Sequence, residues 1–323
     1  MPRPAFGAAP VHAVRPAQTS VIATPAPAAG IGTLLGRWLQ QQLNIIEQQL
    51  HRRTHRHGAI HETRKAARRF RAGLALCAAL NGDAVATADR RVRRIGRKLS
   101  PLRDAHVAAE TAAAQRKGPL AAHWRELQQA LQQRRDTLLQ QALHTDPAFR
   151  RLRHQAQRTA VELAALDFSS LHAPQLLQAL RDSAARLRRA QRAASAASAT
   201  AEQRHRWRRR VRRLRQQLDC LQQIAADAQA PAAGRKEAAL VLAQASAFLP
   251  AAERLSALTD ELGGQQDCTN LRRLLRREPS LPHGDELRRT LPRRHPLPPH
   301  SAPLRTTGHG SRSPSRAPAL SPD

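Results

Sequence analysis

His61-Glu62-Thr63-Arg64-Lys65-Ala66-Ala67-Arg68-Arg69-Phe70-Arg71 is written a second time as His205-Arg206-Trp207-Arg208-Arg209-Arg210-Val211-Arg212-Arg213-Leu214-Arg215. Both copies read H-x-x-R-[KR]-x-x-R-R-[FL]-R, and their first residues stand 144 positions apart (205 − 61). In an Arg-rich chain a second basic helix can arise by chance. The same order of one His, a set of basic residues and one large apolar residue is much harder to obtain that way. The repeat implies an internal duplication, with one cationic helix from each half available for a shared ligand.

Helical spacing carries the chemistry. Residues three and four apart on an α-helix are neighbours, so His61, Arg64, Lys65 and Arg68 share a face with Arg71 at its edge. His205, Arg208, Arg209, Arg212 and Arg215 repeat that face. Like charges at these spacings repel by roughly 0.2–0.5 kcal/mol per pair. Glu62 is the single carboxylate of the first copy, and the second copy has none. An anion is the simplest offset. A run of Arg and Lys is ordinarily a solvated helix face. Here the duplicated pattern and the local scarcity of carboxylates favour a ligand surface.

Composition narrows the partner. The chain has 323 residues, a formal net charge of +30 and a pI of about 11.9. That excess points to nucleic acid, an anionic membrane surface or a phosphate polymer. Aromatic residues make up 2% and Tyr is absent, so the core must be Leu, Val, Ile and Ala, which suits helices better than sheets. Cys77, Cys220 and Cys268 form neither a disulfide framework nor a C-x-x-C metal pair, which favours a reducing compartment. No stretch is long and apolar enough to predict a membrane helix, and Met1 to Gly30 does not read as a secretory signal. A cytoplasmic protein without a membrane partner is therefore expected.

Periodicity predicts an all-α protein of around ten helices. Leu34, Leu35, Trp38, Leu39, Leu43, Ile46 and Leu50 mark the first. The first motif helix is expected to stop at Asn81-Gly82-Asp83, with an N-cap starting the next helix over Val85, Val92, Ile95 and Leu99. Gly118-Pro119 and Asp146-Pro147 should open two more. Further helices are expected near 175–194, 201–228, 235–248, 250–262 and 267–277. Residues 1–30 read as a disordered leader and residues 279–323 as a disordered tail rich in Pro, Arg and Ser. The domain between them, 31–278, should divide into halves at about 165.

These motifs resemble the conserved histidine α-helical domain family, CHAD. Leu99-Ser100-Pro101-Leu102-Arg103-Asp104-Ala105-His106-Val107 is similar to the family's L-x-x-x-R-D-x-x-V segment, with Ser100 where Gly is usual and His106 where an apolar or acidic residue is common. Leu262-Gly263-Gly264-Gln265-Gln266-Asp267 is similar to its L-G-x-x-x-D segment. The resemblance implies two pseudo-symmetric antiparallel four-helix units with a basic cavity between them. It also implies inorganic polyphosphate as the ligand and association with polyphosphate granules. The expected ligand residues are His61, Arg64, Lys65, Arg68, Arg71, Arg94, Arg97, Lys98, Arg103, His205, Arg208, Arg209, Arg212 and Arg215. Arg presents a planar fork that meets phosphate bidentately, and Lys adds a point charge. Arg69 and Arg213 are expected at the edge of the site, with Phe70 and Leu214 in the core. Asp104 and Asp267 are expected either to cap helices or to orient a motif Arg.

Neither a cofactor nor a metal site is expected. His51, His55, His57 and His61 offer two i,i+4 pairs, but no Cys or carboxylate completes them. No Walker loop, H-E-x-x-H or nucleophile elbow is written in the chain, so binding without catalysis is expected. Weak nonspecific nucleic-acid binding is the alternative. Scarce aromatics weigh against single-strand stacking, and no DNA-reading motif is evident.

Overall fold

The protein is described here by a computed structural model covering residues 29–292. The leader expected at 1–30 and the tail expected at 279–323 lie outside the described residues except at their inner ends. The helices are α1 (Ile31–His51), α2 (Arg56–Leu74), α3 (Gly82–Lys98), α4 (Ser100–Ala114), α5 (Ala121–Thr145), α6 (Arg150–Ala164), α7 (Ala173–Ser195), α8 (Ala201–Ala226), α9 (Ala232–Ser246), α10 (Ala252–Arg277) and α11 (Gly284–Thr290). Short 3-10 segments at Pro147–Phe149 and Phe168–Ser170 join some of them, and there is no strand among the described residues.

Two apolar clusters organise the helices. The main core is centred on α1, whose Leu35, Leu39, Leu43 and Ile46 are almost wholly enclosed. α1 packs on α2, α6, α8 and α9. Trp38 Nε1 donates to Gln223 Oε1 at 2.8 Å, which ties α1 to α8. Gly32 lets α1 approach the 3-10 segment at Phe168. A Cβ at Gly32 would fall 2.1 Å from the Phe168 carbonyl oxygen. The second core joins Ala108, Ala109 and Ala112 of α4, Trp124, Leu127 and Leu131 of α5, and Leu287 of α11. α10 serves both cores: Leu255, Leu258 and Leu262 enter the first, and Leu271 and Leu275 the second.

The repeat reaches beyond the motifs. Shifted by the same 144 residues, α1 and α2 fall on α7 and α8 to within two residues at their starts. Within each pair the two helices pack together, and α2 also packs against α8.

Several boundaries differ from expectation. The first motif helix ends at Leu74 rather than at Asn81, because Leu76 and Cys77 are drawn fully into the core and turn the chain there. Asn81, not Asp83, caps α3: its Oδ1 accepts from Asp83 N at 3.2 Å and Ala84 N at 3.4 Å. Helices expected at 250–262 and 267–277 are one, α10. Gly263 and Gly264 each weaken a helix by about 1 kcal/mol relative to Ala. Leucines anchored in a core on either side of the pair carry the helix through. The tail expected from 279 begins instead with a turn and α11, held by Leu287 and Leu291 in the second core. α4 is Ala-rich and carries little periodic signal; its own partner is α5.

Candidate anion-binding cleft

α2 and α8 turn their apolar sides inward: Ala66, Ala67 and Phe70 on one, Trp207, Val211 and Leu214 on the other are buried. Their cationic faces then open into one cleft of about 1180 Å³, closed along its sides by α4 and α10. Of the residues expected to bind ligand, His61, Arg64, Lys65, Arg68 and Arg103 line it from the first half. His205, Arg208, Arg212 and Arg215 line it from the second.

Arg68 and Arg212 mark where the halves meet. Burial is the larger cause of a depressed pKa at Arg68, brought down to about 10, with Arg64, Arg208, Arg103 and Arg215 adding repulsion. Arg212 falls to about 9, again through burial first and then the cations Arg208, Arg68 and Arg215, with Asp267 opposing. Among the described residues neither guanidinium makes a hydrogen bond or an ion pair. Nε of Arg64, Arg68, Arg208 and Arg215 is shielded from solvent and has no hydrogen-bond partner. Several of the donors at the centre of the cleft thus have no bonded acceptor among the described residues.

Arg64 and Arg208 are held in matching ways. Burial lowers the pKa of each, and one aspartate opposes it: Asp104 for Arg64 and Asp267 for Arg208. Both aspartates lie inside helices, so neither caps one. Asp104 stays open to water on one side, yet crowding around its carboxyl pushes its pKa up against the pull of Arg64. Asp267 is raised for the same cause, against Arg208. Arg64 Nη1 also donates to Ser100 Oγ at 2.6 Å and to the Gly96 carbonyl, which fixes it to the junction of α3 and α4. The hydroxyl of Ser100 therefore has a use that glycine could not supply.

The two motif histidines stand at the cleft wall. Burial, then Arg103, lowers the pKa of His61, with Glu62 partly opposing. Burial, then Arg209, lowers that of His205, whose Nδ1 lies 3.3 Å from Gln266 Oε1. Both shifts favour the neutral imidazole.

Other expected residues lie elsewhere. Arg71 forms a fork with Asp89, Nε to Oδ1 at 2.8 Å and Nη2 to Oδ2 at 3.1 Å, and so pins α2 to α3. Arg209 reaches Glu202 at 2.9 Å on the exposed side of α8. Arg94 lines a separate basic groove between α3 and α6, with Arg91, Arg150, Arg151 and Arg158. Arg97 and Lys98 are exposed at the end of α3. Arg69 lines the cleft and Arg213 does not.

Sequence reasoning missed Arg204, Arg273 and a polar strip of α10, Gln265, Gln266, Thr269 and Asn270. Arg204 was detectable, since it stands four residues before Arg208 on one helix face. Arg273 enters only because α10 crosses the cleft. The same crossing brings acids that local sequence did not suggest. Asp104, Glu202, Asp219, Asp260 and Asp267 line the cleft against ten Arg and Lys side chains. Arg215 is the cation most occupied by them, 3.8 Å from both Asp219 and Asp260.

No helix among the described residues is long and apolar enough to cross a membrane. A CHAD domain family profile matches residues 37–276. No curated protein matches the sequence. A crystal structure of the CHAD domain from the plant Ricinus communis shares the fold, with a TM-score of 0.56 and 22% sequence identity over 81% of this chain and 84% of that one.

Proposed function

Because the chain belongs to the CHAD family, which is associated in general with polyphosphate binding, we propose that it binds inorganic polyphosphate in the cleft between α2 and α8 and is thereby carried to polyphosphate granules. The observation that supports this reading most is the pair Arg68 and Arg212. Two guanidinia from different halves are held at low pKa, by burial first and then by the cations around them, and neither has a hydrogen-bond or ion-pair partner among the described residues. A folded chain tolerates that arrangement best when a multivalent anion completes it.

A linear phosphate polymer meets the need. It repeats one charge along its length, so it requires a track of cations rather than a base-reading surface. Arg64, Arg68, Arg208 and Arg212 offer forks for bidentate contact, and Lys65 adds a mobile charge at the wall. His61 and His205 take up protons as the anion arrives, since a nearby negative charge favours the imidazolium. No Phe, Tyr or Trp lines the cleft among the described residues, which leaves nucleic-acid bases without a large stacking platform. The reading is of binding without turnover: Asp104 and Asp267, near enough for Asp104 to raise the pKa of Asp267, are each set against an arginine.

The test is isothermal titration of the full chain with long-chain polyphosphate and with duplex DNA of equal charge, at two salt concentrations. Tight, salt-sensitive binding with clear preference for polyphosphate is expected, with no phosphate released when Mg²⁺ is added. Equal or better binding to DNA would replace this reading with a general polyanion surface.

A further inference from the structure

On the side of the second core, away from the cleft lining, α5 and the turn into α11 bring together His123, Glu126, His283 and Glu286. One ligand atom from each of His123, His283 and Glu286 lies within 4.8 Å of the others. His123 Nδ1 stands 3.0 Å from Glu286 Oε2, and His283 Nδ1 stands 4.0 Å from the same oxygen. Although that carboxylate is close, His123 Nδ1 is shielded from solvent and makes no aligned hydrogen bond. His283 Nε2 meets Glu126 Oε2 at 2.9 Å.

We propose that His123, His283 and Glu286 form a binding site for a first-row divalent cation, Zn²⁺ above the others, with Glu126 orienting His283 from behind. Two imidazoles and one carboxylate are a borderline-soft donor set that suits zinc and leaves a fourth position open. Tetrahedral bonds of about 2.0–2.2 Å place ligand atoms about 3.3–3.5 Å apart, so the separations of 3.0 and 4.0 Å straddle that edge. Glu126 on the far nitrogen of His283 supplies the carboxylate–histidine arrangement that fixes tautomer and ring direction in metal sites.

The ligand-free rings stack with centroids 3.8 Å apart and 8° between planes. A cation cannot lie in both planes of so parallel a pair. Binding at one point therefore requires the rings to turn about χ2, a broad torsion, from ligand atoms that already lie within 4.8 Å of one another. His283 is also held at φ +53°, a region in which a residue with a side chain is strained. His283 and Glu286 lie beyond residue 276, where the family match ends. A cation there joins α11 to α5 directly above Trp124, Leu127 and Leu287.

The test uses the full chain freed of bound anions and metals, titrated calorimetrically with Zn²⁺ and followed in the visible spectrum with Co²⁺. One equivalent of Zn²⁺ with Kd at or below the micromolar range is expected, with a tetrahedral Co²⁺ spectrum. His123→Gln and His283→Gln should each weaken binding at least tenfold, and Glu126→Gln by about tenfold or more. Far-UV circular dichroism and polyphosphate binding should stay as in the wild type, which separates lost coordination from lost folding. Absence of saturable Zn²⁺ binding, or a one-equivalent site that persists in the His123→Gln/His283→Gln double variant, would overturn the proposal.

Discussion

Replacing Arg212 with Met should stabilise the empty protein and impair its function at once. The fall of the Arg212 pKa to about 9, far below the ordinary guanidinium range, sets the scale on which the folded state disfavours the charged side chain. At 1.36 kcal/mol per unit this amounts to about 5 kcal/mol. Water in the cleft and dissolved salt screen part of it, and Met loses whatever solvent contacts the guanidinium keeps. A net gain of about 2 kcal/mol is expected, or a rise in Tm of roughly 3–4 °C for a protein of this size. The sign follows from linkage. A base with a depressed folded pKa is charged in both states below about pH 9, where the penalty is fully present. The penalty fades as pH rises through 9, when the folded state sheds the proton. The gain in the Met variant should therefore be level between pH 6 and 8 and shrink towards pH 10. It should also shrink with added salt or sulfate. Thermal melts of polyanion-free protein read the effect, and titration with polyphosphate should show at least a tenfold loss of affinity. An unchanged or lower Tm at low salt would refute the reasoning, because the cleft would then store no electrostatic cost for a ligand to relieve.

Four further outcomes are expected. Arg64→Glu combined with Arg208→Glu should keep the helical circular dichroism and lose granule localisation in cells; retained localisation would exclude the motif helices as the binding surface. Polyphosphate affinity should rise as pH falls from 8 towards 6, because burial holds the pKa values of His61 and His205 below the ordinary 6.5 and a bound anion raises them. A His61→Gln/His205→Gln double variant should flatten that titration. Arg71→Ala should cost about 1–2 kcal/mol in urea unfolding through loss of the fork to Asp89, with polyphosphate affinity unchanged. Gly32→Ala should destabilise by about 1–3 kcal/mol, read as a lower Tm, since the new Cβ meets the backbone carbonyl of Phe168.

Much of the protein was legible in one dimension. Helical period and an aliphatic, Tyr-free composition determine an all-α chain, because amphipathic spacing is a local property of the backbone. The two copies of the motif determine which faces of α2 and α8 carry the cations that line the cleft, since side-chain direction on a helix follows from spacing alone. Other features depend on distance in space. Arg71, Arg209 and Arg94 carry the right charge, but Asp89, Glu202 and a separate groove claim them, and nothing local to those arginines distinguishes them from Arg68. α10 runs unbroken through Gly263 and Gly264 because two cores, assembled from residues far apart in the chain, hold its ends. That continuity brings Asp267 to Arg208 and Arg273 to the cleft. Only the packing of α2 against α8 turns two ordinary cationic faces into a cleft where burial, and then neighbouring cations, lower the pKa of Arg68 and Arg212. Burial and Coulomb repulsion depend on the enclosing walls and on separations through space, and the order of residues specifies neither directly.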